Sequence, residues 1–144
     1  MKYIVLSGRI LFGVIFLMSM PHHFMQQGIS YAQSAGVPYP SVLVPISGIM
    51  LLLGSLSIML GYKAKWGGWL IALFLIPVTL FMHRFWTVTD PMMAQFQMGM
   101  FMKNISMLGG AFIITYFGAG PLSIDAWQSR HHVAEKEEHH KMAA

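Results

Sequence analysis

The chain has 144 residues, of which 56% are hydrophobic and only 10% are charged, with a formal net charge of +4 and no cysteine. This composition excludes a water-soluble domain, since such domains carry about a quarter charged residues. The missing cysteine excludes disulfides, thiolate metal sites and dithiol catalysis. The basic residues are spread singly and flank apolar segments, which indicates a lipid bilayer as the partner and no nucleic acid.

Four apolar segments are long enough to cross a hydrocarbon core about 30 Å thick as α-helices. The predicted spans are residues 3–20, 41–62, 66–84 and 98–117. Their connections use up most of the chain, so we predict an all-α fold with one four-helix membrane domain over residues 1–127. Residues 128–144 are predicted to form a polar tail that is mobile or weakly helical.

The connections differ in length. Pro21 ends the first span, and a loop follows up to about Pro40. The short turn 61–65 predicts an antiparallel hairpin of the second and third spans. Residues 85–97 contain Asp90-Pro91 and are predicted to be a loop.

Basic residues in the flanks predict the orientation, because Lys and Arg resist translocation. Only Arg84 falls clearly on one side. The other side carries six basic residues: Lys2, Lys63, Lys65, Arg130, Lys136 and Lys141. That side is predicted to be the cytoplasm, with both termini in it.

Arg9 and Lys103 lie inside predicted spans, where an ionisable side chain costs about 2.5–3.5 kcal/mol. Each cation can snorkel to its nearest interface or form a structural ion pair, such as Arg9 with Asp125. Alternatively, they donate to an anion or to a quinone carbonyl. Lys103 shares a helical stripe with Ser106 and Gly110, which predicts that it faces the bundle interior.

Three histidines, His22, His23 and His83, are predicted at the outer surface, at the level of several methionines. Imidazole and thioether ligands together suit cuprous copper. No fixed ligand spacing is present, and methionine commonly fills gaps in apolar cores. We therefore predict no metal site and keep the histidines as weak candidates.

Several short motifs resemble the DoxX family over about residues 1–127. They are Gly8-Arg9-Ile10-Leu11, Gly36-Val37-Pro38, His83-Arg84-Phe85-Trp86, Phe101-Met102-Lys103-Asn104 with Leu108-Gly109-Gly110, and Gly118-Ala119-Gly120-Pro121-Leu122-Ser123-Ile124-Asp125. Each motif is weak alone, whereas their order and spacing are fairly specific. The resemblance implies a four-helix protein of the bacterial inner membrane, in a family named after the membrane subunit of a thiosulfate:quinone oxidoreductase.

The resemblance also implies a candidate polar intramembrane site. By position, Arg9, Lys103, Asn104 and Asp125 match the recurring polar residues of the family. The family often has a glutamate in its second span, and Leu51 stands in its place here. A buried glutamate can carry a proton or balance a lysine, and leucine can do neither.

Three functions stay open at this point. The first is a quinone-linked accessory subunit of a membrane oxidoreductase, in which Lys103 and Asn104 donate to the quinone carbonyl. The second is a non-catalytic anchor or assembly factor for a protein partner. A small-solute transporter ranks last, because four spans would require a homo-oligomer. Whether the chain is an enzyme is left open.

Overall fold

The structure, a computed structural model, describes residues 1–142, apart from the side chains at positions 134, 137, 139 and 140. It contains six α-helices: α1 Lys2–Ser19, α2 Gln26–Ser34, α3 Pro40–Leu60, α4 Ala64–Met82, α5 Pro91–Phe117 and α6 Ile124–Met142. Two short 3₁₀ turns, Met20–Phe24 and Phe85–Thr87, follow α1 and α4. The described residues thus confirm the predicted all-α fold.

Among the described residues, four helical segments are long and apolar enough to cross a membrane, namely Lys2–Phe24, Pro40–Leu60, Ala64–Thr87 and Pro91–Phe117. They contain α1, α3, α4 and α5 and correspond to the four predicted spans. In lipid every backbone group must be bonded within its own helix. This requirement explains why the length of an apolar segment is enough to locate these helices. The chain is therefore a multi-pass membrane protein.

The predicted start of the last span, residue 98, is wrong. Helix α5 begins at Pro91, because the Asp90 carboxylate accepts a hydrogen bond of 2.7 Å from the Met93 backbone N–H. Such an N-cap, followed by proline in the first turn, starts a helix efficiently. With 27 residues, α5 is about 40 Å long, more than a bilayer core requires.

Two further helices lie outside the spans. Helix α2 occupies the connection that was predicted to be a loop, and it ends before Gly36, whose φ of 82° is accessible mainly to glycine. Helix α6 begins at Ile124, before the predicted boundary at residue 127, and gives the described part of the tail helical structure.

The bundle is built around α3 and α4. Helix α1 packs on α3, α3 on α4, and α4 on α5. A Cβ atom added to Gly54 would lie 3.2 Å from the Gly67 carbonyl oxygen. Helix backbones can approach this closely only where residues are small, which is typical of packing in lipid. The core beside this contact consists of fully buried side chains, including Leu51, Ile58 and Ile71.

Candidate functional site

Arg9 lies at the end of the bundle where α1 begins and α5 ends, here named the terminal end. Its side chain is only 4% exposed. The guanidinium donates hydrogen bonds of 2.5 Å to the carbonyl oxygens of Ala119 and Leu122. Both carbonyls follow the C-terminus of α5, where the helix dipole favours a cation. Arg9 therefore ties α1 to the segment that follows α5.

Asp125 joins the same end of the bundle to the α3–α4 turn. Its carboxylate accepts hydrogen bonds from the backbone N–H groups of Lys63 (2.7 Å) and Ala64 (3.1 Å), and thereby caps the N-terminus of α4. Its own backbone N–H donates to the Gly61 carbonyl at 2.9 Å. The hydrogen bonds of Arg9 go to carbonyls and those of Asp125 to amides, so the two residues share a structural cluster without the predicted direct pair.

The prediction that Lys103 faces the bundle interior is wrong. Lys103 is exposed, whereas its neighbour Asn104 is only 5% exposed. One residue turns a helix by about 100°, and the inward face of α5 is the one carrying Asn104 and Ala111. The helical stripe alone could not show which side of α5 packs against α4.

Lys103 lies close to the opposite end of the bundle, named the loop end because it carries both 3₁₀ turns and α2. Phe101 meets Phe85 and Trp86 edge to face there, with centroid distances of 5.5 and 5.9 Å. Lys103 is two residues, about 3 Å, further along α5, and helical side chains lean towards the helix N-terminus, which is at this end. The position favours snorkelling. The four polar candidates therefore do not form one site.

The residues around the loop end enclose a partly open cavity of about 440 Å³ between α2, α3 and α4. Its walls are mainly apolar and include Leu43, Leu73 and Pro77. Leu43 and Leu73 are 42% and 55% exposed and belong to membrane-spanning helices. The cavity therefore opens at least partly towards lipid.

The polar groups of the cavity include the three histidines singled out from the sequence, His22, His23 and His83, together with Ser47 and Tyr31. His23 is half-buried, and its Nδ1 atom lies 2.7 Å from Ser47 Oγ. Its ring also meets Phe74 edge to face. These contacts fix the imidazole against α3 and α4.

Gly48 allows this arrangement. A Cβ atom at position 48 would lie 2.8 Å from both His23 Cβ and Phe24 Cε2, closer than real Cβ contacts. The 3₁₀ turn can therefore lie directly against α3 only because residue 48 has no side chain.

The other side of the cavity is held by α5 and α2. His83 Nδ1 lies 2.8 Å from Gln97 Oε1, within the first two turns of α5 that were predicted to be a loop. Arg84 donates a hydrogen bond of 2.6 Å to the Ala35 carbonyl at the end of α2. These two hydrogen bonds thus connect the end of α4 to α5 and to the end of α2.

Sequence reasoning identified the histidines but missed their partners Ser47 and Gln97. Ser47 lies in an uncharged span, and Gln97 lay in a segment predicted to be a loop. Among the described residues, no group of three His, Asp or Glu side chains is close enough to hold a metal ion. The absence of a resident metal stays a prediction.

Comparisons with known proteins bear on the family. The ER-derived vesicles protein ERV29 of Saccharomyces cerevisiae is 27% identical over 77 residues, which are 54% of this chain and 24% of that protein. The chain therefore spans about a quarter of the length of this relative. No solved structure matches the chain significantly. The DoxX family model matches residues 4–84, more than half of the chain. With this match, and with the four spans that the resemblance implies, the chain belongs to the DoxX family.

Proposed function

We propose that this protein is a quinone-linked accessory subunit of a membrane oxidoreductase in the bacterial inner membrane, with both termini in the cytoplasm. The observation that carries the proposal is the apolar cavity at the loop end, with imidazoles on its border. Membership of the DoxX family, which is named after a subunit of a thiosulfate:quinone oxidoreductase, supports a quinone as the ligand. The relative ERV29 adds no function here, since the similarity covers a small part of it.

The size and polarity of the cavity suit a quinone headgroup. A volume of about 440 Å³ lies within the range of about 300–1,000 Å³ that is usual for small-molecule sites. Such sites combine apolar walls with a few polar groups that fix the orientation of the ligand. A quinone presents a flat apolar ring with two oxygen atoms, and its isoprenoid tail can extend into lipid past exposed side chains such as Leu43 and Leu73.

The residues proposed to recognise the ligand differ from the donors expected from sequence. Neither Lys103 nor Asn104 lines the cavity, whereas His23 and His83 do. Arg9 and Asp125 use their hydrogen bonds within the terminal end. In this proposal the histidines take over ligand recognition, and the terminal-end cluster has a structural role.

Filling the cavity is expected to weaken quinone binding. Val78 is half-buried and lines the cavity, so we expect Val78→Phe to weaken binding of a short-chain ubiquinone or menaquinone analogue at least about tenfold, because the added ring occupies the site. Isothermal titration of the purified protein in detergent micelles measures the affinity.

The matched control is Ile76→Phe, because Ile76 is two residues away on the same helix, is 43% exposed and does not line the cavity. It is expected to bind like the wild type. Equal affinity of both variants would contradict the location of the site, and failure of the wild-type protein to bind any quinone analogue would contradict the function.

A second function, the non-catalytic anchor for a protein partner, is favoured by the outward face of α5. Within the described part of the chain, nothing lies within 4 Å of Cβ positions built on Gly99 and Gly109, and Lys103 is exposed between them along the helix. Small residues allow close approach of a partner helix, and an acidic group on that helix would neutralise the lysine.

This alternative predicts that Gly109→Leu abolishes co-purification of a stoichiometric membrane partner from the native membrane, since the leucine would block the close approach. Val78→Phe should retain the partner. The opposite pattern would contradict an anchor that uses α5.

A further inference from the structure

The hydrogen bonds of His23 determine which of its ring nitrogens carries the proton. Ser47 has a single hydroxyl proton and two acceptors within reach, the Val44 carbonyl at 2.6 Å and His23 Nδ1 at 2.7 Å. A helical serine usually donates to a carbonyl of the preceding turn, and with the proton on Val44 the same oxygen accepts from Nδ1. In that arrangement Nδ1 of His23 carries the hydrogen, and Nε2 of the neutral imidazole is left with a lone pair.

His83 reaches the same state through a different partner. Its Nδ1 atom lies 2.8 Å from Gln97 Oε1, and an amide oxygen has no proton to donate. The Nδ1–H group of His83 therefore donates to Gln97. As in His23, Nε2 of the neutral ring is an acceptor.

Neither Nε2 atom is fully buried. The two histidines line the cavity, and among the described residues the only fully buried side-chain nitrogen or oxygen without a partner is Nε of Arg9. Neither Nε2 atom is therefore sealed inside the protein. The cavity border thus carries two imidazoles whose hydrogen bonds to α3 and α5 favour the Nδ1–H tautomer.

We infer that the cavity recognises its ligand through a hydroxyl group, and therefore takes the reduced quinol in preference to the oxidised quinone. This inference rests on the proposed function. A quinol hydroxyl donates to an Nε2 lone pair, whereas a quinone carbonyl can only accept and would leave the imidazole without a partner. With this preference, the protein is a quinol-binding subunit.

The other polar groups of the cavity do not reverse this preference. His22 and Tyr31 line the cavity but are exposed. Hydrogen bonds to other side chains hold His23 and His83, whereas the Tyr31 hydroxyl can rotate to donate or to accept. Discrimination between the two redox forms therefore depends on His23 and His83.

The test compares the affinities of one short-chain quinone in its reduced and oxidised forms, measured without oxygen at pH 8, where free imidazole is neutral. We expect the wild type to bind the quinol at least about tenfold more tightly. In Ser47→Ala/Gln97→Ala both Nδ1 acceptors are lost and either tautomer can form, so the preference should fall towards unity. Ser57→Ala, which removes a serine hydroxyl at the terminal end, should keep it.

Nitrogen-15 NMR of the histidine rings gives a second measurement that does not depend on how the variants fold. We expect the Nδ1–H tautomer at His23 and His83 in the wild type. Equal affinity for both redox forms, or Nε2–H tautomers, would overturn the inference and leave the proposed function standing. If neither form binds, the proposed function fails first.

Discussion

Replacing Arg9 by methionine is expected to lower the free energy of unfolding by about 3 kcal/mol or more. Hydrogen bonds to charged groups contribute about 1.5–3 kcal/mol each, and Arg9 makes two, to the Ala119 and Leu122 carbonyls. Arg9 itself is only 4% exposed, so the substitution removes a buried cation from both acceptors. Equilibrium unfolding in mixed micelles with increasing SDS measures the effect.

The control is Lys103→Met, which also removes a cation from a membrane span. Lys103 is exposed, and no hydrogen bond to it is found among the described residues, so the expected change is within about 0.5 kcal/mol. The pair separates a buried cation that holds the fold from an exposed one that snorkels. A loss of about 3 kcal/mol in Lys103→Met would show that Lys103 has a buried partner. A change within about 0.5 kcal/mol in Arg9→Met would contradict the structural assignment of Arg9.

The four spans could be predicted from sequence because lipid imposes one strong condition, an apolar helix of sufficient length. The ends of the helices depend on local chemistry instead. Asp90-Pro91 was interpreted as a loop signal, although the same two residues form an N-cap and a first helical residue. The helix α2 is short and polar, and its mean hydropathy gives no signal for a membrane-spanning element.

The candidate site was harder to predict, because residue type does not determine which way a side chain faces. Lys103 and Asn104 are adjacent, and only their packing shows that the amide is the buried one. The cavity was not predicted at all, because it requires α2 to cover a gap between α3 and α4. His22, His23 and His83 were identified by residue type, but as weak metal ligands rather than as the polar border of an apolar cavity.

Restoring the acid that is frequent in the family, by Leu51→Glu, is expected to destabilise this protein by about 3 kcal/mol. Leu51 is completely buried in the core formed with Phe16 and Ile71. An acidic side chain at the centre of a span costs about 2.5–3.5 kcal/mol unless a partner is present. The two candidate cations are unsuited to this role, since Arg9 is engaged at the terminal end and Lys103 is exposed.

Leu51→Gln is the matched control, because it has nearly the size of glutamate without an acidic proton. We expect it to cost about 1–3 kcal/mol through burial of an amide, and equilibrium unfolding in the same mixed micelles compares the two variants. If Leu51→Glu were as stable as the wild type, a polar group would have to reach position 51, and the bundle centre would retain a site for the acid. The expected loss would instead mean that the apolar core around position 51 offers no partner for an acidic side chain.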